Sequence, residues 1–243
     1  MKIIVDIGNT KLKFAVFEDQ KLKYKSESKA FQLAEWKKLF QTFPIDAYII
    51  SSVKSKNDDI LNFLQNECER GMVLSNQSLL PLTIDYETPE TLGIDRLALA
   101  VAAVYKFPNS NTLVISCGTC ITYNLITHDR KFVGGAISPG VHMRLKAMHH
   151  FTDKLPKIDW DRHLKSTLLP KNTRDAMLSG AVNGALCELT EVINRYRQTF
   201  TRELNIILCG GDAKFFEKEL KNSIFADSNF VLYGLNEILQ YNS

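Results

Sequence analysis

The chain has 243 residues, 45% of them hydrophobic and 23% charged, with 30 Lys and Arg against 27 Asp and Glu for a net charge of +3. This composition excludes disordered, collagen-like and coiled-coil chains, and so small a positive excess gives no clustered basic footprint for nucleic acid. The longest wholly apolar run, Leu97 to Tyr105, is nine residues, under half of the ~20 that a spanning helix needs, so no membrane partner is expected.

Lys2-Ile3-Ile4-Val5 reads as a short strand, Asp6-Ile7-Gly8-Asn9-Thr10 as a polar turn and Leu12 to Phe17 as a second strand. After Glu18-Asp19-Gln20, Lys21 to Lys25 can form a third. Short turns between consecutive strands predict an antiparallel meander. The opening Met-Lys-Ile-Ile-Val-Asp meets a carboxylate too soon for an export-signal core. With five scattered cysteines (Cys68, Cys117, Cys120, Cys187, Cys209), reduced thiols and a cytoplasmic location are expected. Leu33, Trp36, Phe40 and Phe43 recur at helical spacing up to Pro44, and Tyr48-Ile49-Ile50 is a buried-type strand. Asp58 and Asp59 open a helix carrying Ile60, Phe63 and Leu64 inward, and Val73-Leu74 is a short strand. Residues 76–91 are polar, with Pro81 and Pro89, and read as a loop. Leu92 to Tyr105 is a helix apolar nearly all round, hence buried.

The pattern then restarts. Val5-Asp6-Ile7-Gly8-Asn9 matches Ile115-Ser116-Cys117-Gly118-Thr119, 110 residues on. Tyr48-Ile49-Ile50-Ser51-Ser52 is echoed by Ile206-Ile207-Leu208-Cys209-Gly210 in the same order. The expected architecture is therefore α/β and duplicated, with lobes at 1–111 and 112–243, each a mixed sheet with flanking helices. Gly134 to Gly140 reads as a loop, Thr173 as the cap of a long helix reaching about Arg197, and Lys214 to Leu220 as a further helix.

A turn whose N–H groups converge binds anions, phosphates especially. In the first turn Asp6 can hold Mg²⁺ or its waters, Asn9 and Thr10 can donate to phosphate oxygens, and Lys11 and Lys13 add charge. One such turn alone is as well explained by a bulged hairpin. Two of them at corresponding points of a duplicated fold point to a shared site. Leu208 to Ala213, at a strand end before a helix, suits an adenosine, a ribose or a phosphate. Asp95 and Arg96 open the apolar helix. They either complement its dipole or form a carboxylate base beside a guanidinium that clamps a substrate anion. Cys117-Gly118-Thr119-Cys120 has no second ligand pair for zinc and reads as two small buried residues. The five histidines (His128, His142, His149, His150, His163) show no metal spacing.

Together these motifs resemble one family. Asp6-Ile7-Gly8-Asn9-Thr10 is similar to the D-x-G-N-T start of type III pantothenate kinases, and Pro89 to Arg96 to their P-x-x-L-G-x-D-R. Gly134 to Gly140 resembles G-G-x-I-x-P-G, Thr173 to Gly180 resembles T-x-x-A-x-x-S-G, and Gly210-Gly211 resembles the T-G-G turn. The resemblance implies a duplicated ribonuclease-H-like fold of the acetate and sugar kinase, Hsp70 and actin type. It implies ATP-dependent phosphorylation of pantothenate to 4'-phosphopantothenate, the first step towards coenzyme A, by a homodimer using Mg²⁺. By the same resemblance Asp95 is the general base, and Asp6, Gly8, Asn9, Thr10, Lys11, Lys13 and Thr119 bind ATP and its phosphates. Tyr86, Gly93, Ile94, Arg96 and Thr173 bind pantothenate. The second turn departs from the family's D-x-G-T-A-x-T-x-D, because Ser116 and Asn124 replace both carboxylates. Ser116 is the monovalent-cation position, so activation by K⁺ or NH₄⁺ is expected to be weak or absent. The alternatives are an ATP-binding regulator without catalysis, against which Asp6 and Asp95 argue, and a sugar kinase, whose zinc cluster has no counterpart here.

Overall fold

The computed structural model describes residues 1–52, 58–162, 166–200, 203–220 and 224–243, so His163 lies outside the described residues. Two compact units are formed, the first from residues 1–108, 130–133 and 229–243, the second from 109–129 and 134–228.

In the first unit β1 (Lys2–Ile7), β2 (Leu12–Glu18) and β3 (Lys21–Ser28) form the expected meander. After α1 (Leu33–Thr42) come β4 (Ala47–Ser52), α2 (Asp58–Glu67) and β5 (Arg70–Val73), giving the strand order β3-β2-β1-β4-β5. β4 lies parallel to β1 and β5 parallel to β4, as helical crossovers require. The inner strands β1, β2 and β4 are apolar on both faces because both faces are covered. Ile3, Val5, Phe14 and Val16 meet Trp36, Phe63 and Leu64 on one side. Ile4, Ala15, Phe17 and Ile49 meet Ala98, Val101, Leu235 and Ile238 on the other. That second layer is α3 (Ile94–Lys106) and, from far along the chain, α7 (Phe230–Tyr241). The two helices touch at Gly234, where a Cβ would stand 1.8 Å from the Ala98 carbonyl oxygen.

The second unit repeats the plan. β7 (Asn111–Cys117) pairs antiparallel with β8 (Cys120–Ile126) and parallel with β10 (Leu204–Cys209). The order runs β11-β10-β7-β8-β9, with β9 spanning Lys131–Pro139 and β11 Phe225–Ala226, and a sixth strand, β6 (Thr83–Ile84), lies outside β9. Without β6 it is the strand order of the first sheet, position for position. α4 (Val141–His150), the 27-residue α5 (Thr173–Thr199) and α6 (Ala213–Glu219) complete the unit. Its core joins Leu113, Ile115 and Tyr123 to Ala181, Ala185 and Leu189 of α5.

Several local expectations are corrected. Asp6 and Ile7 extend β1 rather than opening the turn, and Ser116 and Cys117 likewise extend β7. Residues 76–91 contain β6 (Thr83–Ile84) and a 3-10 turn at Pro89–Thr91. Gly134 to Pro139 is strand rather than loop, since a Cβ at Gly135 would fall 1.9 Å from the Tyr123 carbonyl oxygen and only glycine lets the backbone come so close. α5 is capped by Asn172, whose Oδ1 accepts from the Asp175 N–H at 2.9 Å, so Thr173 is its first turn. Cys117 is buried but Cys120 only half so.

Candidate active site

In the first unit, strand register decides what surrounds Asp6. Its row of the sheet holds Lys13 on β2 and Ser51 on β4. Period-2 alternation sends Lys13 to the same face as Asp6 and Leu12 to the core. Burial pushes the Asp6 carboxyl up to about 6; Lys13 and the Ser51 hydroxyl pull it down, and the carboxylate of Asp95 pushes it further up. Asp6, Lys13 and Asp95 are thus coupled electrostatically, although Asp95 stands on the first turn of α3. Lys11 is not part of that set: its ammonium pairs with exposed Glu27 across the β2–β3 edge. Gly8 donates its N–H to Lys11 O at 3.0 Å, which pins the turn and leaves Asn9 and Thr10 exposed at its tip.

α3 begins at Gly93, where a side chain would set a Cβ 2.6 Å from Asp95 Oδ1, so glycine leaves the carboxylate its place. The approach to α3 is held by Asn76, whose Nδ2 donates to the carbonyls of Pro89, Glu90 and Leu92 at 2.8, 2.7 and 3.1 Å. Ile94 is partly buried against the α3–α7 layer. Arg96 is almost wholly buried, with its guanidinium carbon 5.8 Å from the Tyr86 ring centroid and 5.3 Å from that of Phe132. The sequence motifs did not point to Asn76 or Phe132. An Asn that gathers three carbonyls has only its amide as a signal, and Phe132 lies 36 positions from Arg96 in the sequence.

In the second unit three glycine segments meet. A Cβ on Gly140 would lie 2.1 Å from Gly118 O, and one on Gly210, at φ 89°, 2.4 Å from Cys117 O. Gly140 N–H donates to Thr119 O at 3.1 Å and Asp212 N–H to Cys117 O at 3.0 Å. Thr119 is exposed at the turn tip, and nothing stands within 4 Å of a Cβ built on Gly118. Ser116 is half-buried, in register with Thr122 and Cys209. Asn124 is fully buried and its amide donates to Val114 O and Thr122 Oγ1, both at 3.1 Å, a donor role no carboxylate could fill. Burial drives the Cys117 thiol well above its ordinary range, with Cys209 beside it, which leaves an inert thiol rather than a redox one. Glu188 accepts from Tyr123 at 2.8 Å, Ser138 at 2.6 Å and Arg144, while Arg144 Nε donates to Pro139 O at 2.8 Å, tying β8, β9, α4 and α5 together. Thr173 is exposed at the start of α5.

A β-meander sheet repeated in two units, each with a glycine turn after its first strand, is the fold class of actin and the sugar kinases. Solved structures agree on the fold: a Baf family protein from Campylobacter jejuni at TM-score 0.63 and 20% identity, covering 99% of this chain and 98% of that one, and a glucokinase from an Antarctic psychrotroph at TM-score 0.51 and 15% identity, covering 100% and 99%. The family model for type III pantothenate kinase matches residues 2–195. Proteins named type III pantothenate kinase in Christiangramia forsetii and Flavobacterium johnsoniae are 43% and 39% identical, the first covering 100% of this chain and 99% of the relative, the second 99% and 98%. The chain belongs to the type III pantothenate kinase family. It is a kinase, and its reaction is the phosphorylation of pantothenate in coenzyme A biosynthesis.

Proposed function

We propose that Asp95 is the general base of this reaction and that Asp6 and its row of the sheet serve the nucleotide. Asp95 accepts the proton of the primary hydroxyl of pantothenate as that oxygen attacks the γ-phosphate of ATP in line. Such transition states are loose, so fixed charge and positioning contribute most of the rate. Asn9, Thr10, Lys11 and Lys13, with Gly8 shaping the turn, meet the phosphates, and Thr119 touches ATP. Gly93, Ile94, Arg96, Tyr86 and Thr173 hold pantothenate, Arg96 against its carboxylate. The observation that carries this reading is the coupling of Asp6 to Asp95 with Lys13 between strands, which sets a metal-side carboxylate and a candidate base in one electrostatic field.

The donor chemistry fits Mg²⁺. Asp6 is a hard oxygen donor whose charge burial disfavours, and among the described residues no group of three or more His, Cys, Asp or Glu side chains could hold a metal unaided. A Mg²⁺ that takes one or two carboxylates and otherwise phosphates and water needs no more than that. Asp6 would hold it through water, and when bound it neutralises charge on the phosphates. Ser116 offers a neutral oxygen at the monovalent-cation position, so K⁺ or NH₄⁺ acts weakly. The protein works as a cytoplasmic homodimer. No helix among the described residues is long and apolar enough to cross a membrane. The deciding experiment is Asp95→Asn in a pantothenate phosphorylation assay. The expected outcome is a kcat loss of ~10²–10⁴-fold with an unchanged circular dichroism spectrum; near-normal kcat would refute the assignment.

A further inference from the structure

Within the second unit, the segment that enters α4 is tied down twice, once to the second glycine turn and once to α5. Toward the turn, the Gly140 N–H donates to Thr119 O at 3.1 Å, and a Cβ on Gly140 would stand 2.1 Å from Gly118 O and 2.8 Å from Thr119 O. Two successive carbonyls thus face Gly140. Among the described residues no peptide is cis, and a trans peptide sends its N–H opposite to its C=O. The N–H groups of Thr119 and Cys120 therefore point away from Gly140, and successive N–H groups turned to one side receive anions. Toward α5, the Arg144 side chain folds back over its own helix entry. Its Nε donates to Pro139 O at 2.8 Å, and its Nη2 donates to Ser138 Oγ at 3.1 Å and to the Glu188 carboxylate. Glu188 also accepts from Ser138 at 2.6 Å and from Tyr123 at 2.8 Å. Burial pushes the Glu188 carboxyl up, and the hydrogen bonds from Ser138, Tyr123 and Arg144, with the Arg144 charge, more than reverse that, so it sits below its ordinary range.

We propose that Arg144 is a positioning residue for the nucleotide: anchored on Glu188, it holds Pro139 and Gly140 against the second glycine turn and so keeps the Thr119 and Cys120 N–H groups aimed at the phosphates. The inference rests on the reading of Thr119 as an ATP contact. The contact at Gly140 is backbone on backbone, with no room for a side chain that could stiffen it. Glycine is also the residue with most conformational freedom to lose. Rigidity must come from the neighbouring residues, and Arg144 supplies it. Its planar fork meets Pro139, Ser138 and Glu188 at fixed angles, whereas a lysine would carry the same charge on a flexible stem. N–H groups fixed in advance need no reorganisation when phosphate charge arrives.

The test measures KM for each substrate, and Kd for ATP by calorimetry, in Arg144→Ala, Arg144→Lys and Glu188→Gln, with thermal unfolding alongside. The expected result for Arg144→Ala is a rise of about 5- to 30-fold in KM and Kd for ATP, the scale of one lost charge-assisted tether, with KM for pantothenate unchanged. Arg144→Lys, which keeps the ion pair and loses the fork, rises nearly as far. Glu188→Gln rises less and adds nothing in the Arg144→Ala background. Should Arg144→Ala fold poorly, Arg144→Lys and Glu188→Gln carry the test. A rise in both KM values together overturns the inference, as does full activity in Arg144→Lys, which a merely ionic brace would give. Thr119→Glu, a carboxylate set at an exposed turn tip, tests the reading beneath and raises KM for ATP by charge repulsion. A flat Arg144 series beside a Thr119→Glu protein with a raised KM overturns the inference and leaves the ATP contact standing. A Thr119→Glu protein with unchanged KM refutes the contact itself, and the inference with it.

Discussion

Asp6→Asn should stabilise the protein while abolishing its use of nucleotide. The carboxyl of Asp6 stands at about 6 in the folded protein against 3.8 for the unperturbed group, mainly because burial disfavours its charge. A carboxyl raised in this way costs nothing below pH 4, where it is protonated in both folded and unfolded chains. The cost grows as pH rises from about 4 to about 6, and is constant above that. At ~1.4 kcal/mol per unit, the ionised carboxylate destabilises the fold by about 3 kcal/mol at pH 8. For a chain of this size that corresponds to a melting temperature higher by on the order of 6–12 °C in the Asn variant. The assay is thermal unfolding of both proteins from pH 4 to pH 8 at constant ionic strength, read as the difference between them so that all other titrations cancel. The difference should be near zero at pH 4, climb to pH 7 and level off, while phosphorylation is lost throughout. A difference that is flat with pH, or a variant less stable at pH 8, would refute the reasoning.

Lys13→Ala should raise KM for ATP more than Lys11→Ala, because Lys13 faces Asp6 while Lys11 is paired to exposed Glu27; steady-state kinetics with ATP varied decides. Gly93→Ala would drive a methyl to 2.6 Å from Asp95 Oδ1, so kcat should fall with little change in KM for ATP. Initial rate against KCl at constant ionic strength should show weak K⁺ activation in the wild type and tighter activation in Ser116→Asp. A unit charge at ~4 Å and an effective dielectric of ~20 is worth roughly 4 kcal/mol before desolvation, ample for a tenfold shift. Strong K⁺ activation at low millimolar levels in the wild type would show that Ser116 is no handicap.

The longer strands were legible because their alternation and apolar runs are local, and the duplication because two motifs recur in order; the two-residue strands β6 and β11 are too short to show either. The exact turn boundary was not: Asp6 looks like turn by residue type, and only pairing with Lys13 and Ser51 makes it strand. Asn172 and Thr173 are both good caps, and the hydrogen bond to the Asp175 N–H, which selects the first, is a matter of geometry. The glycines of Gly134-Gly135 argue against a strand by propensity, yet packing against the Tyr123 carbonyl demands them. α4 buries only Val141 and Leu145, too weak a period to announce a helix. At the site, Asp6, Gly93 and Asp95 are visible as motif letters. Phe132 and Asn76 are not, since each acts on residues brought close only by the fold.

The return of α7 to the first sheet sets the order in which this protein can be made. Leu232, Leu235, Ile238 and Leu239 close one face of a sheet whose strands all lie within the first 73 residues. A ribosome must therefore synthesise the whole second unit while that face, with Ile4, Ala15, Phe17 and Ile49 on it, lacks half its cover. The second unit, contiguous but for the short piece at 130–133, has all its core in hand earlier. Domains usually mature from the N-terminus as they emerge; here the later-made unit is placed to fold first, and the earlier one waits for the chain's far end. A nonsense codon between residues 134 and 229 would strip the first unit of α7, half of that layer, while sparing every residue of its first turn.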